Sequence, residues 1–124
     1  MTPELKLALL EQEMWITTYD AAGKPGSVPV WFVWHNDKVW TSTGSESVKA
    51  GKLRKNPRVR LAFGPRGGPS AEGTARFTTD QAIARKIGDL LNTKYEGYYG
   101  SAAAFAKRVA TSYTVLLEIT LKDV

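Results

Sequence analysis

The sequence predicts a mainly β fold: a small antiparallel barrel of six strands with peripheral helices, built as one domain over residues 1–124. Three observations carry this expectation. Short runs rich in β-branched and aromatic residues recur along the chain, separated by clusters of Gly, Pro, Asn and Asp. Most of these runs follow one another closely enough to pair as a meander. The third observation is Val28-Pro29-Val30-Trp31-Phe32-Val33-Trp34, a run that is apolar on both faces. An antiparallel strand with one wet face would alternate. Two apolar faces need cover on both sides: the barrel interior on one, and a partner subunit or planar ligand on the other.

The elements follow in order. Thr2-Pro3-Glu4 is a helix start, with Thr2 as N-cap and Pro3 in the first turn. Leu5, Ala8 and Leu9 then share a face. Met14–Tyr19 is the first strand, and 20–26 is a turn cluster in which Gly23 is free to take positive φ. Residues 28–34 form the second strand. Pro29 removes a ladder donor there, which places that part at an edge or near a bulge. His35-Asn36-Asp37-Lys38 turns the chain into the third strand, 39–43. Residues 45–56 make a short helix, ended at Asn56-Pro57 because a residue before proline avoids the α region. Strands at 58–63 and 72–77 flank the loop Gly64-Pro65-Arg66-Gly67-Gly68-Pro69. Thr78 and Gln81 have capping-box spacing, and the following helix sets Ile83, Ile87, Leu90 and Leu91 on one face. Residues 101–110 are helical, and alternation over 113–121 gives the sixth strand.

Composition narrows the chemistry. With 43% hydrophobic and 23% charged residues, the chain matches a soluble domain able to bury a core unaided. The absence of cysteine excludes disulfides, thiolate metal sites and cysteine nucleophiles. The opening Met1-Thr2-Pro3-Glu4-Leu5-Lys6 lacks the order of a signal peptide, and no apolar run reaches membrane-spanning length. The expectation is therefore a cytoplasmic protein with no membrane partner. His35 is the lone histidine and falls in a hairpin turn, so it reads as a polar turn residue rather than a catalyst. With no cysteine beside it, it argues against a tight zinc or heme site. The 64–68 loop is neither a Walker loop nor a dinucleotide fingerprint. No side chain stands out as catalytic. If the chain is an enzyme, a bound cofactor carries the chemistry.

The formal net charge is +5, and its distribution matters more than its size. Residues 47–71 contain no acid but hold Lys49, Lys52, Arg54, Lys55, Arg58, Arg60 and Arg66. That stretch fits a solvated basic face or a site for phosphate groups. Just before it, a strand ends in hydroxyl residues and a helix begins: Ser42, Thr43, Ser45 and Ser47, then Lys49. Helix N-termini offer unpaired N–H groups and partial positive charge, which suit a phosphate. A plain capped helix with a solvated lysine fits the same residues. Small basic barrels with aromatic surfaces also bind single-stranded nucleic acid, and Trp31, Trp34 and Trp40 could stack bases. Tryptophans in strands are more often core or interface, so the expectation is no nucleic acid.

Val-Pro-Val-Trp-Phe at 28–32, Thr-Ser-Thr at 41–43, Lys49, Asn-Pro-Arg-Val at 56–59 and Glu-Gly-Thr-Ala at 72–75 together resemble the pyridoxamine 5'-phosphate oxidase-like split-barrel superfamily. The likeness is greatest to its flavin/deazaflavin oxidoreductase branch, the coenzyme F420-dependent enzymes. It runs from Trp15-Ile16-Thr17-Thr18 to Tyr113-Thr114-Val115. The resemblance implies an FMN-binding split barrel that forms a homodimer with the cofactor at the interface. It matches Thr43 and Lys49 to the residues that hold the cofactor phosphate, with Ser42 and Ser47 adding donors beside them. It matches Pro29, Val30, Trp31 and Phe32 to the strand that runs along the ring system, largely through backbone groups.

The departures are informative. Val48 stands where pyridoxamine phosphate oxidases proper carry an arginine, and the residues around Val30 and Trp34 are apolar where they carry an arginine and a lysine. Both argue against authentic pyridoxamine phosphate oxidase activity. Lys52 stands where the deazaflavin branch commonly has an asparagine, and implies a second phosphate contact or altered cofactor binding. The implied function is an oxidoreductase that passes a hydride from reduced F420 to a small electron-poor organic substrate. The alternatives are an FMN-binding protein or oxidoreductase of the same fold, and a cofactor carrier without turnover. The excess of basic residues favours F420, whose tail is longer and more anionic. Tyr95, Tyr98 and Tyr99 are proton-donor candidates by chemistry alone, and otherwise pack the dimer.

Overall fold

In the computed structural model, which describes residues 1–65 and 67–122, the chain curls one antiparallel sheet into a split barrel and lays helices against it. The elements are α1 Pro3–Ala8, β1 Met14–Tyr19, β2 Pro25–Val30, β3 Val33–His35, β4 Lys38–Gly44, α2 Val48–Lys55, β5 Arg58–Phe63, β6 Ser70–Thr78, α3 Gln81–Lys94, α4 Ala102–Ala110 and β7 Thr114–Leu121. The 7-stranded sheet runs β2-β1-β5-β6-β7-β4-β3. Its two edges, β2 and β3, are consecutive in sequence. Arg66, one of the basic residues counted above, lies outside the described residues.

The seventh strand comes from a break in the expected 28–34 strand. At Trp31-Phe32 the backbone leaves the ladder, and side chains take over its hydrogen bonds. The Phe32 N–H donates to the Tyr95 hydroxyl at 2.9 Å, and the Phe32 carbonyl accepts from Lys94 Nζ at 2.9 Å. The Trp31 carbonyl accepts from Thr41 Oγ1 at 2.6 Å. With both groups of buried Phe32 and the Trp31 carbonyl satisfied this way, the chain can cross from one sheet edge to the other.

The two-faced pattern of this run survives the break. Val30, Phe32 and Trp34 pack on the barrel core, with Met14, Ile16, Leu61, Phe63 and Ile119. Trp31 and Val33 pack on a second cluster, with Ile87 and Leu91 of α3 and Phe105 and Val109 of α4. The cover expected from a partner or a planar ligand is therefore supplied here by this chain's own helices. Gly88 permits it: a Cβ there would sit 2.9 Å from Phe105, so only glycine lets α4 approach α3 this closely. At the outer edge, Val28 remains 44% exposed.

Caps set the helix boundaries. Thr2 Oγ1 accepts the Leu5 N–H at 3.2 Å, as expected. Ser47 caps α2 by accepting the Ala50 N–H at 3.0 Å, so that helix begins at Val48 and not at 45. The expected Thr78–Gln81 capping box does not form. Thr78 is still paired with Leu116 in the sheet, and Asp80 caps α3 instead, accepting the Ile83 N–H at 3.0 Å. A carboxylate at that position also meets the positive end of the helix dipole. Among the described residues no helix is long and apolar enough to cross a membrane.

Candidate functional site

The end of β4 and the start of α2 bring together three of the residues singled out in the sequence. Thr43 Oγ1 donates to Ser47 Oγ at 3.0 Å, while Ser47 Oγ also accepts from the Ala50 N–H at 3.0 Å. Ser47 is the acceptor in both bonds, so its own proton can be offered to a ligand. Lys49 follows as the second residue of the helix, whose first turn contains no acid. It is half-buried, and burial lowers its pKa from the usual lysine value. None of the ion pairs among the described residues includes Lys49. A partly desolvated ammonium without a counter-ion is costly, and an anion from outside would relieve it. Two hydroxyls, a helix start and this lysine fit a phosphate monoester.

Ser42 and Lys52 lie elsewhere. Successive strand residues face opposite sides, and Ser42 lines a different cleft with Tyr98, Tyr99 and Arg108. Lys52 leans toward β2: a Cβ on Gly26 would come within 2.9 Å of its Nζ. There it borders a cleft of about 540 Å³ with Lys55, Asp20 and Tyr19. Other cations of the basic stretch are engaged. Arg54 donates to the Ser45 carbonyl at 2.8 Å. Arg58 and Arg60 approach Glu72 at 3.8 and 3.7 Å.

The segment matched to the ring-binding strand is divided. Pro29 is exposed on the edge strand and Val30 is half-buried. Trp31 stacks on Tyr95 with ring centroids 4.2 Å apart and planes within 3°. Phe32 is fully buried, and both its backbone groups are taken by Tyr95 and Lys94. Backbone contacts to a planar ligand thus fall to Pro29, Val30 and the Trp31 N–H.

Lys94, which the sequence did not single out, is central to this junction. Its Nζ stands 3.7 Å from the Phe32 ring centroid. Burial pulls its pKa down to about 8, with Glu11 acting in the opposite sense. Tyr95 is pushed up to about 12, chiefly by burial and against its bond to the Phe32 backbone. Its hydroxyl also donates to the Gln12 carbonyl at 2.6 Å. No local signal could have joined Tyr95 to Phe32, because 63 residues separate them.

A sequence model of the family described as pyridoxamine 5'-phosphate oxidase matches residues 1–124. No curated protein matches the chain. Solved structures share the fold at low identity. The heme storage protein HutZ from Vibrio cholerae superposes with a TM-score of 0.74 at 14% identity, over 98% of this chain and 90% of that one. An F420 reductase gives 0.70 at 17% identity, over 94% and 92%. A FAD-binding protein from Mesorhizobium loti gives 0.71 at 14%, over 99% and 91%. The names of these three attach different ligands to one barrel, so the likeness speaks for the fold and not for the ligand.

Proposed function

Because the chain belongs to the pyridoxamine 5'-phosphate oxidase family, we propose that it is an oxidoreductase that binds the deazaflavin coenzyme F420 and passes a hydride to a small electron-poor organic substrate. The observation that carries this reading is Lys49: half-buried, unpaired among the described residues, and set beside the Thr43–Ser47 hydroxyl pair at a helix start. The cofactor, when bound, supplies the hydride chemistry, and the chain supplies position and electrostatics. Thr43, Ser47 and Lys49 would hold the phosphate. Pro29, Val30 and Trp31 would border the ring. Val48, in place of an arginine, speaks against pyridoxamine phosphate oxidase activity proper.

FMN is the second reading, because it shares the tricyclic ring, ribityl chain and phosphate. The anionic tail of F420 separates the two. Lys52 and Lys55 border the cleft beside β2 and belong to no ion pair among the described residues, so they can meet tail carboxylates, whereas Arg54 is tied to the Ser45 carbonyl. Replacing Lys52 and Lys55 together by Ala should lower F420 affinity severalfold and leave FMN nearly unchanged. The preference should also shrink with added salt, since exposed charge pairs are screened. Equal losses for both ligands would assign these lysines to the general field of the protein. The visible spectrum of the purified protein, and the mass of any cofactor it releases, test the reading directly. Release of FMN alone puts the second reading first, and uptake of neither ligand in titration sinks both.

We further propose that the working form is a homodimer with the cofactor at the interface. Val48 is 75% exposed next to Lys49, and Tyr113 is 76% exposed beside Ser45, whose N–H donates to the Tyr113 carbonyl. Large apolar surface at the rim of a charged site suits a protein interface. Light scattering at micromolar concentration should give twice the 13.6 kDa chain mass. A monomer under those conditions would argue strongly against an interfacial site.

A further inference from the structure

We propose that the cleft between the α3–α4 loop and the outer face of β4 binds a small planar aromatic carboxylate, held by Arg108 through its acid group and by Tyr98 through its ring. The cleft measures about 530 Å³ and is lined by Ser42, Tyr98, Tyr99, Arg108 and Thr114 among others. That is room enough for a one- or two-ring ligand.

The loop that builds it is tightly held. Glu96, Gly97 and Gly100 all take positive φ, at 53°, 81° and 81°. Asn92 fastens the turn at both sides, accepting the Tyr99 N–H at 2.9 Å and donating to the Gly100 carbonyl at 3.1 Å. A left-handed conformation is unfavourable for a residue such as Glu96. The result is a loop that presents two adjacent tyrosines in fixed positions.

The two tyrosines differ. Tyr98 is 74% exposed, yet its ring meets Trp31 edge-on at 4.8 Å and Tyr99 at 5.7 Å. It adds little to the core and leaves an aromatic face open to solvent. Tyr99 is half-buried, and burial raises its pKa, so its hydroxyl remains a donor at neutral pH.

Arg108 decides the charge of the ligand. It is half-buried on α4, and one of its nitrogens donates to the Tyr99 carbonyl at 3.3 Å. None of the ion pairs among the described residues includes it. A guanidinium fork beside hydroxyls and an aromatic edge is matched by a carboxylate on a flat ring, since the fork binds carboxylates in a two-point fashion. That this acid is the substrate rests on the cofactor reading above, through Trp31, which belongs to both the ring-bordering segment and this cluster. Binding of the acid does not rest on it.

Calorimetric titration with benzoate and with its neutral isostere benzamide tests the site. Benzoate should bind about tenfold or more tightly than benzamide, as a charge-assisted contact implies. Arg108→Gln should erase that difference, and Tyr98→Ala should weaken both ligands. Lys49→Ala should leave both unchanged, so failure of the phosphate site and failure of this one are told apart. Equal binding of benzoate and benzamide by the unaltered protein overturns the proposal, as does a preference that persists in Arg108→Gln, or no saturable binding of either. Inorganic phosphate that competes as well as benzoate would make this a bare anion site and overturn the aromatic assignment. Tyr98 lies outside the core, so its variant keeps the test open if Arg108→Gln folds poorly.

Discussion

Replacing Lys49 by Ala should weaken cofactor binding about tenfold to a hundredfold, while Lys107→Ala should leave it unchanged. A charge-assisted contact to phosphate is worth roughly 1.5–3 kcal/mol. Lys107 also carries a positive charge, but it stands exposed in the last turn of α4, a different helix from the one that carries Lys49. The comparison therefore separates a local contact from the net charge of the protein. Titration with FMN and with F420 should show the loss for both ligands, because both present the same phosphate. The free protein should respond differently. Its half-buried ammonium has no counter-ion among the described residues, so the thermal midpoint of the unliganded variant should hold or rise. Equal affinities for the two variants would remove Lys49 from the site. A large drop in the stability of the unliganded protein would reassign it to the fold.

Tyr95→Phe should cost about 1–3 kcal/mol of stability although it deletes a single oxygen. The substitution keeps the ring that stacks on Trp31 and removes the hydroxyl that accepts the Phe32 N–H. It also removes the donor to the Gln12 carbonyl. Phe32 is fully buried, so its amide has no ready access to replacement water, and an orphaned buried donor costs on the order of 1–3 kcal/mol. The urea midpoint should fall with an unchanged slope, and hydrogen exchange at the Phe32 amide should accelerate more than at the barrel strands. Lys94→Met should cost less. The Tyr95 hydroxyl lies 3.0 Å from the Phe32 carbonyl and can turn its one proton there from Gln12, and a partly desolvated charge would be gone. A Tyr95→Phe variant as stable as the original would mean that the β2–β3 junction is held by something else.

The same junction shows how far local reading reaches. The alternation of Val30, Phe32 and Trp34 against Trp31 and Val33 was legible, because each strand residue turns its side chain to one face or the other. The break was not legible. A β-rich run reads as continuous unless something marks its interruption, and the markers here, Thr41, Lys94 and Tyr95, belong to other elements. The cover of the second face was not legible either, for a related reason. The α3 stripe predicted a buried face, but nothing in it named the sheet face it would meet.

The candidate site divides along the same line. Thr43, Ser47 and Lys49 are close in sequence, so a strand end and a helix start suffice to bring them together. Ser42 looked like part of that group until the pleat sent it to the other face. Lys52 shares a helix with Lys49, yet the packing of α2 against β1 and β4 leaves it turned toward Gly26. Arg108 and Tyr98 gave no joint signal, since a turn with three left-handed residues sets their relation.

By itself, then, the sequence determined the β-rich class, most of the strands, the cap at Thr2, and the hydroxyl-lysine cluster at the start of α2. Each depends on residues within a turn or two of one another, where sterics and hydrogen-bond geometry act without outside help. Only the tertiary structure decided where the sheet splits, which helices cover its outer face, which cations remain unpaired and which tyrosines meet Trp31. Those outcomes hinge on contacts between residues dozens of positions apart. Such contacts form only when the sheet has curled and the helices have docked, because their energies depend on burial that no single segment can supply.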